Sequence, residues 1–290
     1  MSDQTPSPLH LSIITPSFRS GRWLKLCIAS VADQEGVEFE HIVQDSCSDD
    51  ETRDWLPSDS RVTAVIEKDT GMYDAVNRGF RRAKGDILSY LNCDEQYLPG
   101  ALKKVADYFE SHPEVDVLLA DTIVVNSEGG YLCERRSLPP QLCHTLVGTT
   151  LSFLTSGLFL RRRVLEKHAL FFDTHWRDLG DAEWALRAIR SGVRFGVLKE
   201  FTSTFTDTGA NMNLLPNARQ ESRALRGSAP FWMRKTAKLW VIHYRLRRFL
   251  GGLYFTRPYE YSIFTCATPT ERQIHFVKNP TFRWHHNKTI

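Results

Sequence analysis

The sequence lacks the paired cysteines that mark a disulfide scaffold or a structural zinc site. Its six cysteines are scattered, with no CxxC pair and no Cys/His cluster at zinc-ligand spacing. Isolated thiols in a chain of 290 residues favour a reducing compartment, where they serve as small apolar side chains. The chain also lacks a large excess of either charge, because 37 basic residues stand against 34 acidic ones. This balance argues against a dedicated nucleic-acid-binding protein.

Two stretches that a secreted or membrane-spanning protein would need are also missing. The first residues carry neither the basic region nor the long apolar run of a secretory signal peptide. Residues 137–160 contain no charged side chain, but they include Pro139, Pro140 and many polar residues. A membrane span needs about 20 predominantly apolar residues. We therefore expect a cytoplasmic protein in which residues 137–160 are buried or line a pocket.

Short apolar runs alternate with amphipathic segments of helical length between residues 11 and 120. This alternation predicts βαβ units, and hence an α/β fold with a doubly wound, mostly parallel sheet flanked by helices. Polar residues follow three of the predicted strands, at Pro16–Phe18, Asp45–Ser46 and Asn92–Glu95. Ligands bind beyond the carboxyl ends of the strands in such sheets. We therefore expect these loops to share one crevice.

The glycine motifs of common nucleotide-binding proteins are absent. No GxGxxG follows the first strand and no GxxxxGK[ST] occurs, which argues against a Rossmann dehydrogenase and a P-loop NTPase. Phosphates can instead be held through Mg²⁺ or Mn²⁺, which take one or two protein carboxylates and fill the octahedron with diphosphate oxygens and water. Asp94 and Glu95, at the end of a buried strand, suit that role. The alternative is that this pair only begins a solvent-exposed loop.

Several segments form an ordered set of motifs. They read SIITPSFRS followed by SVADQ, then HIVQDSCSDDET, EKDTGMYDAVNRGFRRAKGDILSYLNCDE and DLGDAEWALRAIRSG. In this order they resemble the family-two glycosyltransferases, which have the GT-A fold and use nucleotide sugars, and in particular the branch that builds bacterial surface polysaccharides. The resemblance covers residues 11–210, and the segment around residues 67–95 is the most specific. It implies a nucleoside-diphosphate sugar as donor, with UDP favoured, and Mn²⁺ or Mg²⁺ as cofactor.

The resemblance also implies roles for particular residues. Contacts with the nucleotide sugar are expected from Pro16, Phe18, Asp45, Asp69, Tyr73, Asn77 and Asn92. Asp94 is the expected metal ligand, and Glu95 stands where the family often has a further aspartate. Acceptor contacts are expected from Thr155, Ser156 and Gly157. Simpler structural roles stay open for some of these residues: Phe18 packing beneath its loop, Asp45 capping its turn, and Asp74 and Asn77 capping a helix.

Asp181 is the expected general base. It lies in Gly180–Trp184, at the start of an amphipathic segment where the family carries its catalytic aspartate, with an arginine, here Arg187, six residues later. One carboxylate is enough to deprotonate an acceptor hydroxyl on the face opposite the leaving diphosphate, and this geometry inverts the anomeric configuration. Asp178 and Glu183 are rival candidates, and Asp181 alternatively serves only as a helix cap.

The carboxy-terminal part differs in character from the rest. We expect a glycosyltransferase domain over residues 1–215 and a basic amphipathic helix with a tail over residues 216–290. Apolar residues recur every three or four positions from Trp232 to Leu253, beside a stripe of arginine and lysine, which indicates one amphipathic helix. No acidic residue occurs between Glu221 and Glu260. The helix is expected either to contact an anionic membrane at the inner face of the cell or to pack on the domain.

Together these observations predict an inverting, metal-dependent transferase of a hexosyl or N-acetylhexosaminyl group. It would move the sugar from a nucleoside-diphosphate donor to a hydroxyl of a glycan or of a lipid-linked acceptor in polysaccharide biosynthesis. A nucleotidyltransferase or pyrophosphorylase is one alternative, although the glycine-rich, basic first loop typical of those enzymes is absent after Thr15. A non-catalytic nucleotide-sugar-binding module that docks at a membrane is the other, because Asn92 and Glu95 depart from the family pattern.

Overall fold

The computed structural model describes residues 8–148, 151–209 and 216–284. The strands of the main sheet are β1 (His10–Ser17), β2 (Glu38–Asp45), β3 (Thr63–Ile66), β4 (Ile87–Tyr90), β5 (Gln96–Tyr97), β6 (Val117–Asn126), β7 (Tyr131–Arg135), β8 (Leu158–Arg161) and β9 (Phe195–Asp207). The helices up to the second gap are α1 (Gly21–Ala32), α2 (Thr52–Trp55), α3 (Met72–Arg82), α4 (Ala101–Ser111), α5 (Leu142–Val147), α6 (Arg163–His168) and α7 (Gly180–Arg190). Short 3₁₀ turns cover Leu56–Ser58 and Thr155–Gly157.

The sheet has the strand order β3-β2-β1-β4-β8-β6-β9-β5, with β7 beside β6. Strands β3, β2, β1 and β4 are parallel, as are β6 and β9, whereas β8 runs antiparallel to both β4 and β6. The predicted α/β fold with a doubly wound sheet is therefore confirmed. Antiparallel pairing by β5, β7 and β8 adds a mixed region that the alternation of elements does not reveal.

Two apolar cores form because successive side chains of a buried strand point to opposite faces of the sheet. Ile14 of β1 packs in one core with α3 and α7, and its neighbour Ile13 packs in the other with α1 and α4. Helix α3 lies very close to β1, since a Cβ on Gly79 would stand 2.4 Å from the Ile14 side chain. The charge-free stretch 137–160 is buried or half-buried at every described position, as the sequence predicts.

The carboxy-terminal part contains helices α8 (Pro216–Gly227), α9 (Phe231–Lys235) and α10 (Ala237–Leu250), followed by the paired strands β10 (Tyr259–Ile263) and β11 (Gln273–Val277). Leu225, Ala229 and Met233 pack against apolar side chains of α5 and α7, and the β10–β11 pair packs against β6. The predicted domain boundary falls beside residues 210–215, which lie outside the described ranges, and it stays a prediction. No described helix combines the length and the apolar character that crossing a membrane requires.

The prediction of one helix over residues 232–253 is wrong in one respect, because the helix is interrupted at Thr236. The Thr236 hydroxyl donates to the carbonyl of Trp232 at 2.9 Å, and the Leu239 N–H bonds to the Thr236 carbonyl instead of continuing the helical ladder. A threonine side chain that bonds back to the preceding turn competes with the helix backbone in this way. Periodicity alone does not show such a break.

Candidate active site

The loops after β1, β2 and β4 meet at one edge of the sheet, as predicted. Strand pairing places Ser17 beside Asp45 and Ile14 beside Tyr90. The backbone N–H of Arg19 donates to the Ser48 hydroxyl at 2.8 Å, and the Arg19 guanidinium donates two hydrogen bonds to the Asp49 carboxylate. These contacts join the first loop to the second. The three polar loops therefore line a common crevice.

Phe18 stands at the mouth of this crevice with its ring 46% exposed. The guanidinium of Arg19 lies 4.9 Å and the ammonium of Lys68 lies 5.3 Å from the ring centre. Packing of Phe18 beneath its loop, the structural alternative considered above, is therefore not observed. The accessible ring offers a π surface beside positive charge, which suits a nucleobase attached to phosphates. Pro16, two residues before Phe18, is buried near the end of β1.

Asp45 and Asp69 occupy neighbouring loops of the same rim. The buried Asp45 carboxylate accepts hydrogen bonds from the backbone N–H and the hydroxyl of Ser48, each at 2.7 Å. The half-buried Asp69 accepts from the Gly71 N–H at 3.0 Å, and its own N–H lies 3.4 Å from the Ser46 hydroxyl. Asp45 thus caps its turn, although each carboxylate oxygen can still accept a further hydrogen bond.

The structure corrects the roles of Asn77 and Tyr73. The buried Asn77 amide donates to the Phe172 carbonyl and accepts from the Phe172 N–H, both at 2.8 Å, so its polar atoms serve the interior. Tyr73 is buried as well, with its ring stacked on Phe172 at 5.1 Å between centroids. Its hydroxyl accepts a hydrogen bond from the Asp181 backbone N–H at 3.1 Å. The polar groups of both side chains are thus engaged with the segment that leads to Asp181.

The acidic loop after β4 presents two carboxyl groups in different environments. Glu95 is 1% exposed, its Oε2 accepts from the Asn92 N–H at 2.9 Å, and its Oε1 is buried without a partner in the described part of the chain. Burial, together with the charge of Asp94, raises the pKa of Glu95 to about 8. Asp94 is partly exposed, and burial raises its pKa to about 6. Asp94 is thus the accessible carboxylate of the pair, and Glu95 lies beneath it.

This donor set fits a divalent cation that takes most of its ligands from the substrate. The described residues contain no group of three or more histidine, cysteine or acidic side chains placed to hold a metal. Asp94 offers one accessible carboxylate, and the unpartnered Glu95 oxygen lies in the same turn. Because burial disfavours the charged form of both groups, a bound cation would relieve that penalty. Direct ligation by Glu95 would require its buried side chain to turn outward, so the structure favours Asp94.

Asp181 lies in the first turn of α7, and its side chain is half-buried. Its Oδ1 accepts a hydrogen bond from the Ala182 N–H at 2.7 Å. Burial, with a smaller contribution from the nearby Glu221 carboxylate, raises the pKa of Asp181 to about 6. The rival Glu183 is paired with Arg187 at 2.8 Å, which leaves it poorly placed to accept a proton. Asp178 has one buried carboxylate oxygen with no partner among the described residues. Asp181 therefore combines access with the pKa range that a general base needs.

Glu221 of α8 holds the loop that precedes Asp181, a role that the sequence does not reveal. Its carboxylate accepts from the backbone N–H groups of Arg177 at 2.8 Å, Asp178 at 3.0 Å and Leu179 at 2.8 Å. Asn217 donates to the same carboxylate at 2.8 Å. No motif signals this contact, because more than forty positions separate Glu221 from the loop. A carboxylate at this position also matches the positive end of the α7 dipole.

Tyr90 is the last residue of β4, two positions before the acidic loop, and its ring packs edge-on against Phe172 at 5.4 Å between centroids. Burial raises the pKa of the Tyr90 hydroxyl well above its usual range, the Asp181 carboxylate adds to this shift, and Glu95 contributes a smaller increase. The same hydroxyl interacts with Thr155. The pKa of this one buried hydroxyl is thus affected by carboxyl groups from two segments that are far apart in sequence. This arrangement brings the candidate metal loop and the candidate base to the same region.

The predicted acceptor contacts of Thr155, Ser156 and Gly157 are corrected to packing roles. Ser156 is completely buried, and a Cβ on Gly157 would lie 2.5 Å from the Ala120 carbonyl oxygen. A cavity of about 510 Å³ lies instead beside the loop that precedes Asp181. It is lined by Thr70, Gly71, Met72, Tyr73, Asp74, Thr174, Trp176, Arg177, Asp178 and Asn217. Its aromatic and polar lining suits a small polar ligand with an apolar face.

Known proteins share sequence motifs and fold with this chain. A family model described as glycosyl transferase family 2 matches residues 12–170. A PGL/p-HBAD biosynthesis glycosyltransferase of Mycobacterium bovis is 31% identical over 171 residues, which cover 53% of this chain and 65% of that protein, less than two thirds of its length. S. aureus TarS 1–349, crystallised with UDP-GlcNAc, superposes with a TM-score of 0.60 at 19% identity over 83% of this chain and 73% of that one. Mannosyltransferase PcManGT of Pyrobaculum calidifontis, in complex with GDP-Man and Mn²⁺, gives 0.52 at 15% identity over 86% and 82%.

Proposed function

The chain belongs to glycosyl transferase family 2, and from this premise we propose that it is an inverting, metal-dependent glycosyltransferase. It transfers a hexosyl or N-acetylhexosaminyl group from a nucleoside-diphosphate sugar to a hydroxyl of a glycan or a lipid-linked acceptor. The observation that carries this proposal is the aromatic cluster between the two segments. Tyr90, two residues before the acidic loop, packs edge-on against Phe172 at 5.4 Å, and Phe172 stacks on Tyr73, whose hydroxyl accepts a hydrogen bond from the Asp181 N–H. The structural neighbours bound to UDP-GlcNAc and GDP-Man support a nucleotide-sugar donor. We favour UDP because of the resemblance of the sequence motifs.

The donor lies along the crevice in this proposal. Its base stacks on the exposed ring of Phe18, with Pro16 forming the floor and Asp45 and Asp69 accepting hydrogen bonds at the rim. Asn92 hydrogen-bonds a ribose hydroxyl. The Lys68 ammonium, 5.3 Å from the Phe18 ring centre, compensates part of the diphosphate charge, whereas Arg19 is paired with Asp49.

Asp94 holds the metal ion, and Glu95 supports the loop from beneath. When bound, Mn²⁺ or Mg²⁺ stabilises the negative charge that develops on the departing diphosphate. The Mn²⁺ in the PcManGT complex supports a divalent ion without deciding between the two metals. Glu95 is largely protonated at neutral pH, because its pKa is raised to about 8, so it adds little charge to the loop.

Asp181 accepts the proton of the acceptor hydroxyl as that oxygen attacks the anomeric carbon from the side opposite the diphosphate. A pKa of about 6 leaves its carboxylate mostly ionised at neutral pH yet basic enough to take a proton. A positioned general base contributes about 10²–10⁴-fold to such a step. Tyr73 accepts a hydrogen bond from the backbone N–H of this residue, and Glu221 fixes the backbone of the preceding loop. Direct displacement on one face inverts the anomeric configuration.

The acceptor enters through the cavity beside Trp176 and Asp178. The order of the sequence motifs, which resembles that of enzymes building surface polysaccharides, supports a surface glycan or a lipid-linked sugar as acceptor; the mycobacterial relative is named for PGL/p-HBAD biosynthesis. Such an acceptor places the enzyme in the cytoplasm at the inner face of the cell membrane. Among the described lining residues, Asp178 carries a buried carboxylate oxygen without a partner, which a sugar hydroxyl could satisfy.

A donor panel tests this proposal. UDP- and GDP-sugars are incubated with the protein and Mn²⁺, and release of nucleoside diphosphate is measured with and without simple glycoside acceptors. We expect release from one donor class, dependent on the metal, and a product whose anomeric configuration is opposite to that of the donor by NMR. Pyrophosphate release from a nucleoside triphosphate and a sugar phosphate would instead identify a nucleotidyltransferase. Donor binding without turnover for any donor would indicate a non-catalytic module.

A further inference from the structure

Helices α9 and α10 and the turn after them expose an unusual number of large apolar side chains. Their exposed fractions range from 50% to 74%, and the residues are Phe231, Trp232, Leu239, Ile242, Leu246, Phe249, Leu250 and Phe255. We call this set the apolar face. Single exposed apolar residues are common on soluble proteins, but a contiguous set along one segment marks a contact with another molecule or with lipid.

On α10, the apolar face lies opposite the side of the helix that packs against the rest of the protein. At 100° per residue, its members from Leu239 to Leu250 fall within an arc of about 100°, whereas Tyr244 and Arg248 lie on the other side. Tyr244 and Arg248 are buried, and Arg248 donates to the Arg136 carbonyl at 3.0 Å. His243 and His144 are joined by a hydrogen bond of 3.0 Å. The helix is thus anchored by one face, so the apolar face is presented outward.

Positive charge borders the apolar face. Arg234, Lys235, Lys238 and Arg245 are exposed, and none of them forms an ion pair within the described ranges. No acidic residue occurs between Glu221 and Glu260, whereas nine arginine and lysine residues do. On the helical wheel of α10, Lys238 and Arg245 lie at one edge of the apolar arc. The surface therefore combines bulky apolar side chains with cations that pair with no carboxylate in the described part of the chain.

These features favour an anionic lipid surface over a second copy of the chain. A symmetric dimer across this face would bring the same unpaired cations together, because the two partners of a two-fold interface present identical patches. Lipid headgroups supply the missing negative charge, and the tryptophan, phenylalanine and leucine side chains suit the boundary between headgroups and acyl chains. We propose that α9, α10 and the following turn dock the protein on an anionic bilayer surface through the apolar face and its bordering cations.

This docking goes beyond the transfer reaction and is measured without substrate. The full-length chain is sedimented with vesicles of phosphatidylcholine alone or mixed with phosphatidylglycerol. We expect binding to the mixed vesicles to be stronger by at least about tenfold and to weaken with added salt. The variant Leu239→Ser/Ile242→Ser/Phe249→Ser is expected to lose binding by about tenfold or more, and Lys238→Gln/Arg245→Gln to lose the preference for phosphatidylglycerol.

A matched control lies on β11, where Ile274 and Phe276 are 70% and 64% exposed. The variant Ile274→Ser/Phe276→Ser is expected to bind the mixed vesicles like the unmodified chain. Circular dichroism and nucleotide-sugar binding are expected to be unchanged in all variants, because the altered side chains are exposed. The proposal is overturned if the unmodified chain does not bind phosphatidylglycerol vesicles, if the α10 variant binds them equally well, or if the β11 variant loses as much binding. A dimer that the α10 substitutions abolish, without vesicle binding, would assign the face to self-association.

Discussion

The Tyr73 hydroxyl accepts a hydrogen bond from the Asp181 backbone N–H at 3.1 Å and so links the first turn of α3 to the first turn of α7. Between them, Gly180 leaves room for the tyrosine ring, since a Cβ there would lie 2.5 Å from it. Phe172 stacks on the other side of the ring. The candidate base is thus positioned by an aromatic cluster.

Tyr73→Phe tests this positioning role, because it keeps the ring and removes only the hydroxyl. One hydrogen bond contributes about 1 kcal/mol, so we expect the transfer rate kcat to fall by about fivefold to tenfold. The KM for the donor is expected to stay constant, as measured by initial rates at saturating acceptor. A rise in donor KM with unchanged kcat would contradict the structure and would restore the nucleotide-sugar contact that the sequence predicts for Tyr73.

The pH dependence of the reaction is expected to follow Asp181. Its pKa of about 6 means that the carboxylate is ionised above pH 6 and protonated below it, so activity is present at higher pH and lost on acidification. We expect kcat/KM to fall about tenfold for each pH unit well below 6, measured with donor and metal saturating. Asp181→Asn is expected to lower transfer by at least about 10²-fold and to remove this acidic limb, while donor binding persists.

Thermal unfolding distinguishes this loss from misfolding. The pKa of Asp181 is higher in the folded protein than its ordinary value of 3.8, so the folded state binds the proton more tightly. The contribution of this carboxyl to the free energy of unfolding therefore falls as the pH rises from about 4 to about 6. Above pH 6 the contribution stays constant and unfavourable to the folded state. Asp181→Asn removes this penalty, and we expect its Tm at neutral pH to be unchanged or higher. If the variant is inactive and its Tm is much lower, misfolding explains the loss of activity, and Asp181 is not identified as the base.

The crevice is predictable from the sequence because it depends on local patterns. Three strands end in polar residues, and the parallel pairing of β1 with β2 and β4 brings those ends to one edge. Phe18 and Asp94 consequently lie where the motifs place them, on loops that follow adjacent strands. The family's ordered motifs add the start of α7, which periodicity alone identifies only as an amphipathic helix.

Contacts between distant segments are what the sequence does not reveal. Asn77 lies 95 positions from Phe172, so nothing local distinguishes its interior role from a donor contact. The burial of Glu95 depends on how the whole loop folds over its side chain, and the Glu221 contacts depend on where α8 packs. The β10–β11 pair also escaped prediction. Apolar and polar residues alternate in both strands, but each strand has only five residues and no motif links the two segments.

Asp94 and Glu95 are expected to respond differently to the loss of charge. Glu95→Gln resembles the protonated acid that a pKa of about 8 implies, so activity near pH 7 is expected to stay within about threefold of the unmodified protein. Asp94→Asn removes the accessible carboxylate, and we expect at least about a 10²-fold loss of transfer. Titration of Mn²⁺ by calorimetry in the presence of UDP is expected to show weakened binding for Asp94→Asn only. Equal weakening in both variants would show that Glu95 ligates the metal directly.

The cavity beside Trp176 is expected to determine acceptor affinity. Its volume of about 510 Å³ falls in the range of small-molecule sites, and its lining offers an aromatic side chain together with the unpartnered Asp178 oxygen. Trp176→Ala is expected to raise the acceptor KM by about tenfold while leaving the donor KM unchanged, since an aromatic contact surface is lost on one side only. His175→Ala is the matched control, because that neighbouring side chain is 91% exposed and does not line the cavity. If the donor KM rises in parallel, the cavity contributes to binding the donor, which contradicts its assignment to the acceptor.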